Sequence, residues 1–150
     1  MDVVLVAPEI PQNTGSIGRL CVATGSRLHL VDPLGFTIDD RHLRRAGLDY
    51  WKHVDVHRHP DWATFLERRP HGRILCFSAR ASRSYTTLRY REDDLLVFGC
   101  ESRGLPPAIR AAHADATFGI PLASEHVRSL NLATAVAIVL YEALRQQGKV

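Results

Sequence analysis

The chain has 150 residues, of which 45% are hydrophobic, and it carries a formal net charge of +3 at pH 7. This apolar fraction is ordinary for a soluble globular protein, and the length predicts one domain spanning residues 1–150. The longest apolar run covers residues 135–141, which is far too short for a membrane span. The mild positive charge, nearly all of it arginine, permits a nucleic-acid partner.

The three cysteines, Cys21, Cys76 and Cys100, are odd in number and far apart in sequence. This spacing indicates neither a disulfide framework nor a zinc site. It fits a reducing compartment. Because the first residues also lack a basic segment followed by a long apolar one, we expect no signal peptide and a cytoplasmic location.

Predicted strands and helices alternate along the chain. Strands are predicted over residues 3–7, 28–31, 54–57, 74–77, 95–99 and 116–120. Helices are predicted from Asn13 or Thr14 to Gly25, over 39–47 and 61–69, from Pro106 or Pro107 to Ile109, and over 132–144. This order predicts an α/β fold, with a mostly parallel sheet and helices on both faces.

The first predicted helix has an unusual side formed by Gly15, Gly18, Arg19 and Val22. Each interior glycine costs about 1 kcal/mol relative to alanine, so a close approach of another backbone or a ligand is expected there. Arg19 is either a solvated helix residue or a ligand contact beside this flat side.

Two further groups of residues have alternative interpretations. Arg41, Arg44 and Arg45 form either a solvated helix face or a ridge that contacts phosphates. His57 and His59 form an HxH pair, but no third ligand is near in sequence, so we expect no metal site.

Three predicted strands end in loops suited to a nucleoside, over residues 77–79, 99–104 and 120–122. Ligands of open α/β sheets lie at the carboxyl ends of strands, where apolar side chains and free backbone groups could hold an adenine and a ribose. The sequence contains neither GxGxxG nor GxxxxGK[ST], which disfavours a nucleotide cofactor of the Rossmann type and excludes a P-loop, while an adenosine pocket is still compatible with the sequence.

Three segments resemble the motifs of the SPOUT superfamily of RNA methyltransferases. They are PEIPQNTGSIGRLC at 8–21, FGCESRGLP at 98–106 and IPLASEHVRSLNLATAVAIVLYEA at 120–143. The similarity extends through LHLVDPLGF and RHLRRAGLDYW to the small branch that 2′-O-methylates the wobble nucleotide of tRNA, cytidine or a modified uridine. It implies a carboxyl-terminal trefoil knot, S-adenosylmethionine as methyl donor, no metal, and leucine tRNAs as expected substrates.

The resemblance also implies roles for individual residues. The methyl donor would be bound by Phe77, Gly99, Ile120 and Ser129, mostly through backbone atoms. The catalytic candidates are Arg19, Arg128, Asn131 and Tyr141, while Glu101 would brace the middle loop. The sequence departs from the family pattern at Ala23 and at His126-Val127, which affects fine substrate contacts only.

The expected reaction is in-line transfer of the sulfonium methyl group to a ribose 2′-oxygen. Family proposals make the first-motif arginine, here Arg19, the base. Neutral arginine at pH 7 costs roughly 8 kcal/mol, which favours a role in holding phosphate and polarising the hydroxyl.

The last predicted helix is apolar nearly all round, and a small protein cannot bury every side of such a helix. We therefore expect a homodimer formed by this helix and the glycine side of the first helix. Three alternatives remain: methylation at another tRNA or rRNA site, a hydrolase with Cys100 as nucleophile, and a non-catalytic RNA-binding module. The hydrolase lacks an evident histidine partner, since only His113 and His126 are near Cys100 in sequence.

Overall fold

The computed structural model describes residues 1–38 and 49–150. Six strands are present: β1 (Asp2–Val6), β2 (Arg27–Val31), β3 (Val56–His59), β4 (Ile74–Phe77), β5 (Leu95–Phe98) and β6 (Thr117–Phe118). The α-helices of the described residues are α1 (Pro11–Thr24), α2 (Trp62–Arg68), α3 (Pro107–Ala112) and α4 (Leu132–Gln146). Short 3₁₀ turns cover Asp49–His53, Tyr85–Thr87 and Ala114–Ala116.

The strands form one six-stranded sheet in the order β3-β2-β1-β5-β4-β6. Every pair of neighbouring strands is parallel, so the predicted parallel sheet is confirmed. The three strands whose loops were singled out, β5, β4 and β6, are adjacent. Their carboxyl-terminal loops therefore meet at one edge of the sheet.

Helices cover both faces of the sheet, as predicted. In β1, Val3 and Leu5 belong to one buried cluster and Val4 and Val6 to another, which explains its unbroken apolar sequence. The first cluster contains side chains of α1 and α4, and the second contains Phe65 of α2 and Ile109 of α3.

The ends of the helices follow from local chemistry, and several differ from the sequence prediction: α3 continues to Ala112 rather than Ile109, and α4 continues to Gln146 rather than Leu144. Helix α1 begins at Pro11 rather than after Asn13 or Thr14, because proline at the first position loses no helical hydrogen bond. Asn13 and Thr14 lie buried inside its first turn. The helix ends at Gly25, whose φ of 64° is left-handed.

The two glycines of α1, Gly15 and Gly18, are covered by their own chain, which corrects the expectation that they admit a partner subunit, whereas Arg19 and Val22 on the same side of the helix are exposed. A Cβ built on Gly18 would lie 2.6 Å from Cζ3 of Trp51. The Tyr50 hydroxyl donates a 2.8 Å hydrogen bond to the carbonyl of Gly15. Because Gly15 and Gly18 have no side chains, the 3₁₀ turn at Asp49–His53 can pack directly against the backbone of α1.

The predicted helix at 39–47, with Arg41, Arg44 and Arg45, lies outside the described residues. Within residues 1–38 and 49–150, no helix has both the length and the apolar character that crossing a bilayer requires.

Candidate active site

One cavity of about 600 Å³ lies at the carboxyl ends of β4, β5 and β6. Phe77, Gly99, Ile120 and Ser129, the four residues expected to bind the methyl donor, all line it. Arg128 and Asn131 line it as well. The fold thus brings six of the eight candidate site residues to one place, although they come from three separate segments of the sequence.

The lining combines apolar walls with polar groups. The rings of Phe77 and Phe98 stack with centroids 5.0 Å apart, and Ile120, Leu122 and Leu130 extend the apolar surface. Volumes of several hundred cubic ångströms with a few polar groups are typical of small-molecule sites. A nucleoside joined to an amino acid fits this description, since it presents a flat apolar base and several polar edges.

The loop after β5 is folded too tightly to admit a side chain at its first residue. A Cβ built on Gly99 would lie 2.0 Å from the carbonyl carbon of Gly104. The amides of Cys100 and Gly104 each donate to the other's carbonyl, at 3.2 and 2.9 Å, and Gly104 has a left-handed φ of 73°. This loop presents its backbone to the cavity because glycine occupies both positions.

Two glutamates fasten this loop to the segment after β1. The backbone amides of Glu9 and Ile10 donate to the carboxylate of Glu101 at 2.7 and 3.1 Å. In return, the backbone amide and hydroxyl of Ser102 donate to the carboxylate of Glu9 at 2.9 and 2.7 Å. Hydrogen bonds from the Ser102 hydroxyl and amide lower the pKa of Glu9. Four charge-assisted bonds therefore hold the two loops together.

Asn131 is connected to the same network. Its side-chain amide donates to Oδ1 of Asn13 at 2.9 Å, and Nδ2 of Asn13 donates to Glu101 at 3.0 Å. The side-chain oxygen Oδ1 of Asn131 accepts hydrogen bonds from the backbone amides of Ala133 and Thr134 and so caps α4. The orientation of Asn131 is therefore fixed at both ends of its amide group.

Sequence reasoning missed the roles of Asn13 and Glu9. Asn13 was interpreted as a helix cap, and Glu9 was assigned no role. The position of both residues could have revealed these roles. They follow the central strand β1, and Glu101 follows its neighbour β5, so the two loops lie side by side at the carboxyl ends of adjacent parallel strands.

Arg19 and Tyr141 are not among the residues that line the cavity. Arg19 is exposed on α1, with its guanidinium carbon 5.6 Å from the centroid of the Tyr50 ring. Tyr141 is 45% exposed on α4, which packs against α1. Both side chains therefore belong to the surface of the α1–α4 pair.

The geometry gives the hydrolase alternative no support. The Cys100 thiol contacts the Ser102 hydroxyl at 3.9 Å and the Gly104 carbonyl at 3.6 Å. The ring of His113 instead packs edge-on against Trp62. No histidine is hydrogen-bonded to Cys100 in the described part of the chain, so a nucleophile–base pair is not formed there.

The HxH histidines lie in two different settings. His59 is buried, and its Nε2 lies 3.0 Å from Nδ1 of His29, whose Nε2 is 3.1 Å from the carboxylate of Asp2. His57 is exposed and pairs with Asp55 at 2.9 Å. Among the described residues, no cluster of histidine, cysteine or acidic side chains is suited to a metal ion.

Comparison with known proteins decides the family. The profile of the SpoU rRNA Methylase family matches residues 1–141. The chain belongs to this family. It is 45% identical to the tRNA (cytidine(34)-2′-O)-methyltransferase of Escherichia coli strain K12 over 149 residues, which are 99% of this chain and 94% of that protein. The expected methyltransferase family is therefore confirmed.

Solved structures of this family have the same fold. One, described as giving insights into the 2-OH methylation of C/U34 on tRNA, is 49% identical and superimposes with a TM-score of 0.90 over 98% of this chain and 90% of that one. The SpoU methyltransferase AviRb from Streptomyces viridochromogenes, in complex with AdoMet, is 26% identical with a TM-score of 0.81. That match covers 98% of this chain but only 57% of AviRb.

Proposed function

We propose that this protein transfers a methyl group from S-adenosylmethionine to the ribose 2′-hydroxyl of nucleotide 34 of a tRNA. The observation that carries the proposal is the 600 Å³ cavity, where the three motif loops meet in a chain 45% identical to a cytidine-34 methyltransferase. Residues 1–150 would act as a single methyltransferase domain, in the cytoplasm, where tRNA is matured.

S-adenosylmethionine fits the cavity described above. When bound, it supplies an activated methyl group on a positively charged sulfur. The backbone groups of Gly99 and Ile120 and the hydroxyl of Ser129 would fix the nucleoside, with Phe77 against its apolar face. The loop at 99–104, which is closed by the paired backbone hydrogen bonds of Cys100 and Gly104, would shield the bound nucleoside from water.

Asn131 and Arg128 would act on the ribose side. Both line the cavity, and the network through Asn13 and Glu101 holds the Asn131 amide in one orientation. An amide held in this way can position the accepting ribose for in-line attack. The exposed guanidinium of Arg128 is suited to hold an adjacent phosphate.

Arg19 would act in the cavity of a partner subunit. It is exposed and lies outside the cavity of its own chain, as does Tyr141. The partly exposed surface of α1 and α4 includes the apolar residues Val22 and Tyr141, at 37% and 45%. A homodimer that buries this surface would place Arg19 and Tyr141 close to the partner's substrate, where Arg19 would hold phosphate and polarise the hydroxyl.

Mixed dimers test this arrangement. Arg19→Ala and Gly99→Asp should each be inactive alone, the first with nearly intact cofactor binding and the second with none. If Arg19 acts across the interface, refolding the two together should restore about a quarter of wild-type activity, since half the dimers are mixed and carry one intact site. No recovery would contradict the action of Arg19 across the interface, and a monomer in sedimentation at micromolar concentration would contradict the dimer itself.

We also infer a trefoil knot around β6. On one side of this segment, the amide of Ser78 donates to the carbonyl of Phe118 at 2.9 Å. On the other, Gly119 exchanges hydrogen bonds with Arg83 and Tyr85, at 2.8 and 2.9 Å. Residues 78–85 thus contact both edges of the strand, which supports a chain threaded through this loop before it continues into α4.

The reaction can be tested by mass mapping of RNA from a strain that lacks the gene. The proposal predicts the loss of one ribose methyl group at position 34, with leucine tRNAs as the first candidates. Complementation with the wild-type gene should restore it, and Arg19→Ala should not. Loss of a methyl group from another tRNA position or from rRNA would show that the site is different.

A further inference from the structure

A second cavity adjoins the candidate cofactor cavity. Its volume is about 370 Å³, and it lies beside residues 78–83, the loop that follows β4. Ser78, Arg80 and Arg110 line both cavities, so these residues form a shared wall. Any group bound in the second cavity would therefore lie next to the cofactor site.

The second cavity is strongly basic. Arg80, Arg83 and Arg110 line it together with hydroxyl-bearing and small residues, and no acidic side chain is part of the lining among the described residues. The guanidinium groups of Arg80 and Arg110 have no hydrogen bond or ion pair to the described residues. Unpaired cations around one concave surface favour an anionic ligand.

Arg83 is held in place by its surroundings. Its guanidinium carbon lies 4.5 Å from the centroid of the Phe118 ring, and its Nη2 donates to the carbonyl of Asp115. These contacts use only one of its three nitrogens, which leaves Nε and Nη1 for a ligand. A stacked and tethered arginine loses little entropy when it binds an anion.

We propose that this cavity, lined by Arg80, Arg83 and Arg110, binds a backbone phosphate of the RNA substrate beside the nucleotide that receives the methyl group. This inference rests on the proposed function. The planar guanidinium groups match a phosphodiester, and the cavity shares a wall with the cofactor site, where the acceptor ribose must be. The other available anion is the carboxylate of S-adenosylmethionine itself, which would need the same arginines.

Paired binding measurements on Arg80→Gln and Arg110→Gln distinguish the two anions. An RNA anticodon stem-loop is titrated at several salt concentrations, and S-adenosylmethionine is titrated separately by calorimetry. We expect each variant to bind the RNA about five- to tenfold more weakly, with the slope of log affinity against log salt reduced by about 1. The affinity for S-adenosylmethionine should remain that of the wild type.

Arg68→Gln is the matched control, because Arg68 is exposed on α2 and lines neither cavity. It makes the same change of charge and should leave RNA affinity unchanged. Wild-type RNA affinity and salt slope in both cavity variants would overturn the inference. So would an equal loss in Arg68→Gln, or weakened S-adenosylmethionine binding with RNA binding intact.

Binding is measured whether or not turnover occurs, so the two proposals fail separately. A wild-type protein that binds the stem-loop without methylating it would contradict the proposed function. The comparison of the arginine variants would still decide whether the cavity holds a phosphate.

Discussion

The side-chain amide of Asn131 donates a 2.9 Å hydrogen bond to Oδ1 of Asn13, a residue 118 positions earlier in the chain. This bond joins the start of α4 to the first turn of α1. Nδ2 of Asn13 in turn donates a 3.0 Å hydrogen bond to the carboxylate of Glu101. The three residues link the segments after β1, β5 and β6, which are the loops that form the candidate active site.

Asn131→Ala should reduce both stability and activity. It removes the cap of α4, worth about 1 kcal/mol, and the bond to Asn13. The melting temperature should fall by about 2–4 °C, while methyl transfer should fall by far more than the folded fraction does. Calorimetric melting and single-turnover kinetics on the same samples separate the two effects. Unchanged turnover in the folded protein would remove Asn131 from the site.

Glu101→Gln should loosen the loop at residues 99–104. One carboxylate oxygen of Glu101 accepts a hydrogen bond from the backbone amide of Glu9, and the other accepts from the backbone amide of Ile10 and the side-chain amide of Asn13. The NH₂ group of glutamine, in place of either oxygen, would therefore face a hydrogen-bond donor. We expect a loss of about 2 kcal/mol of stability and about tenfold weaker S-adenosylmethionine binding. Glu67→Gln, on the exposed side of α2, is the control and should change neither quantity. Wild-type cofactor affinity in Glu101→Gln would contradict the bracing role.

Gly99→Ala should abolish cofactor binding. Its methyl group would lie 2.0 Å from backbone atoms of Gly104, so the loop has to open to accommodate it. Gly25→Ala provides the comparison. The left-handed φ of 64° at Gly25 disfavours alanine, but nothing lies within 4 Å of the added Cβ. We expect Gly25→Ala to cost about 1 kcal/mol of stability and to bind S-adenosylmethionine normally. Equal cofactor affinities for the two variants, measured calorimetrically, would refute the steric argument.

Gly18→Ala should destabilise the protein, although alanine normally stabilises a helix by about 1 kcal/mol relative to glycine. The added methyl group would lie 2.6 Å from the Trp51 ring, and overpacking of this kind costs about 1–3 kcal/mol. Ser16→Ala, on the exposed side of the same helix, should change stability by less than about 0.5 kcal/mol. Chemical denaturation measures both, and a more stable Gly18→Ala protein would show that Trp51 does not occupy this position.

Stability should fall as the pH drops below about 6.5, the ordinary pKa of histidine. Burial lowers the pKa of His59, and the nearby His29, His57 and Arg68 act in the same direction, so the folded protein keeps this ring neutral. The unfolded chain then binds more protons than the folded one, and stability is lost as pH falls from about 6.5 toward the lowered pKa. Burial raises the pKa of Asp2, but hydrogen bonds from His29 and Arg27 outweigh it, which adds a second loss below about pH 4. Melting temperatures across this range test the prediction, and His59→Gln should flatten the first decline.

The sequence predicted what depends on local pattern. The apolar runs at 74–77 and 95–99 identified buried strands, since parallel strands covered on both faces have no polar alternation. The three motif loops were identified by resemblance, and the sheet order explains why they meet. Sequence pattern alone did not reveal the pairing of Glu9 with Ser102 or of Gly18 with Trp51. Such contacts join residues that are distant in sequence and follow no helical or strand period. The buried Asp2–His29–His59 chain was missed for the same reason, because it is formed by side chains from three different strands.

The central claim is methyl transfer to one ribose, and it can be tested with two tRNA transcripts that differ by one oxygen. Purified protein is incubated with S-adenosylmethionine carrying a labelled methyl group and with tRNA that has either cytidine or 2′-deoxycytidine at position 34. We predict that one methyl group is transferred to the first tRNA, mapped by mass spectrometry to the ribose of nucleotide 34, and that none is transferred to the second. Equal labelling of both transcripts, or a methyl group found on a base or at another position, would contradict this account.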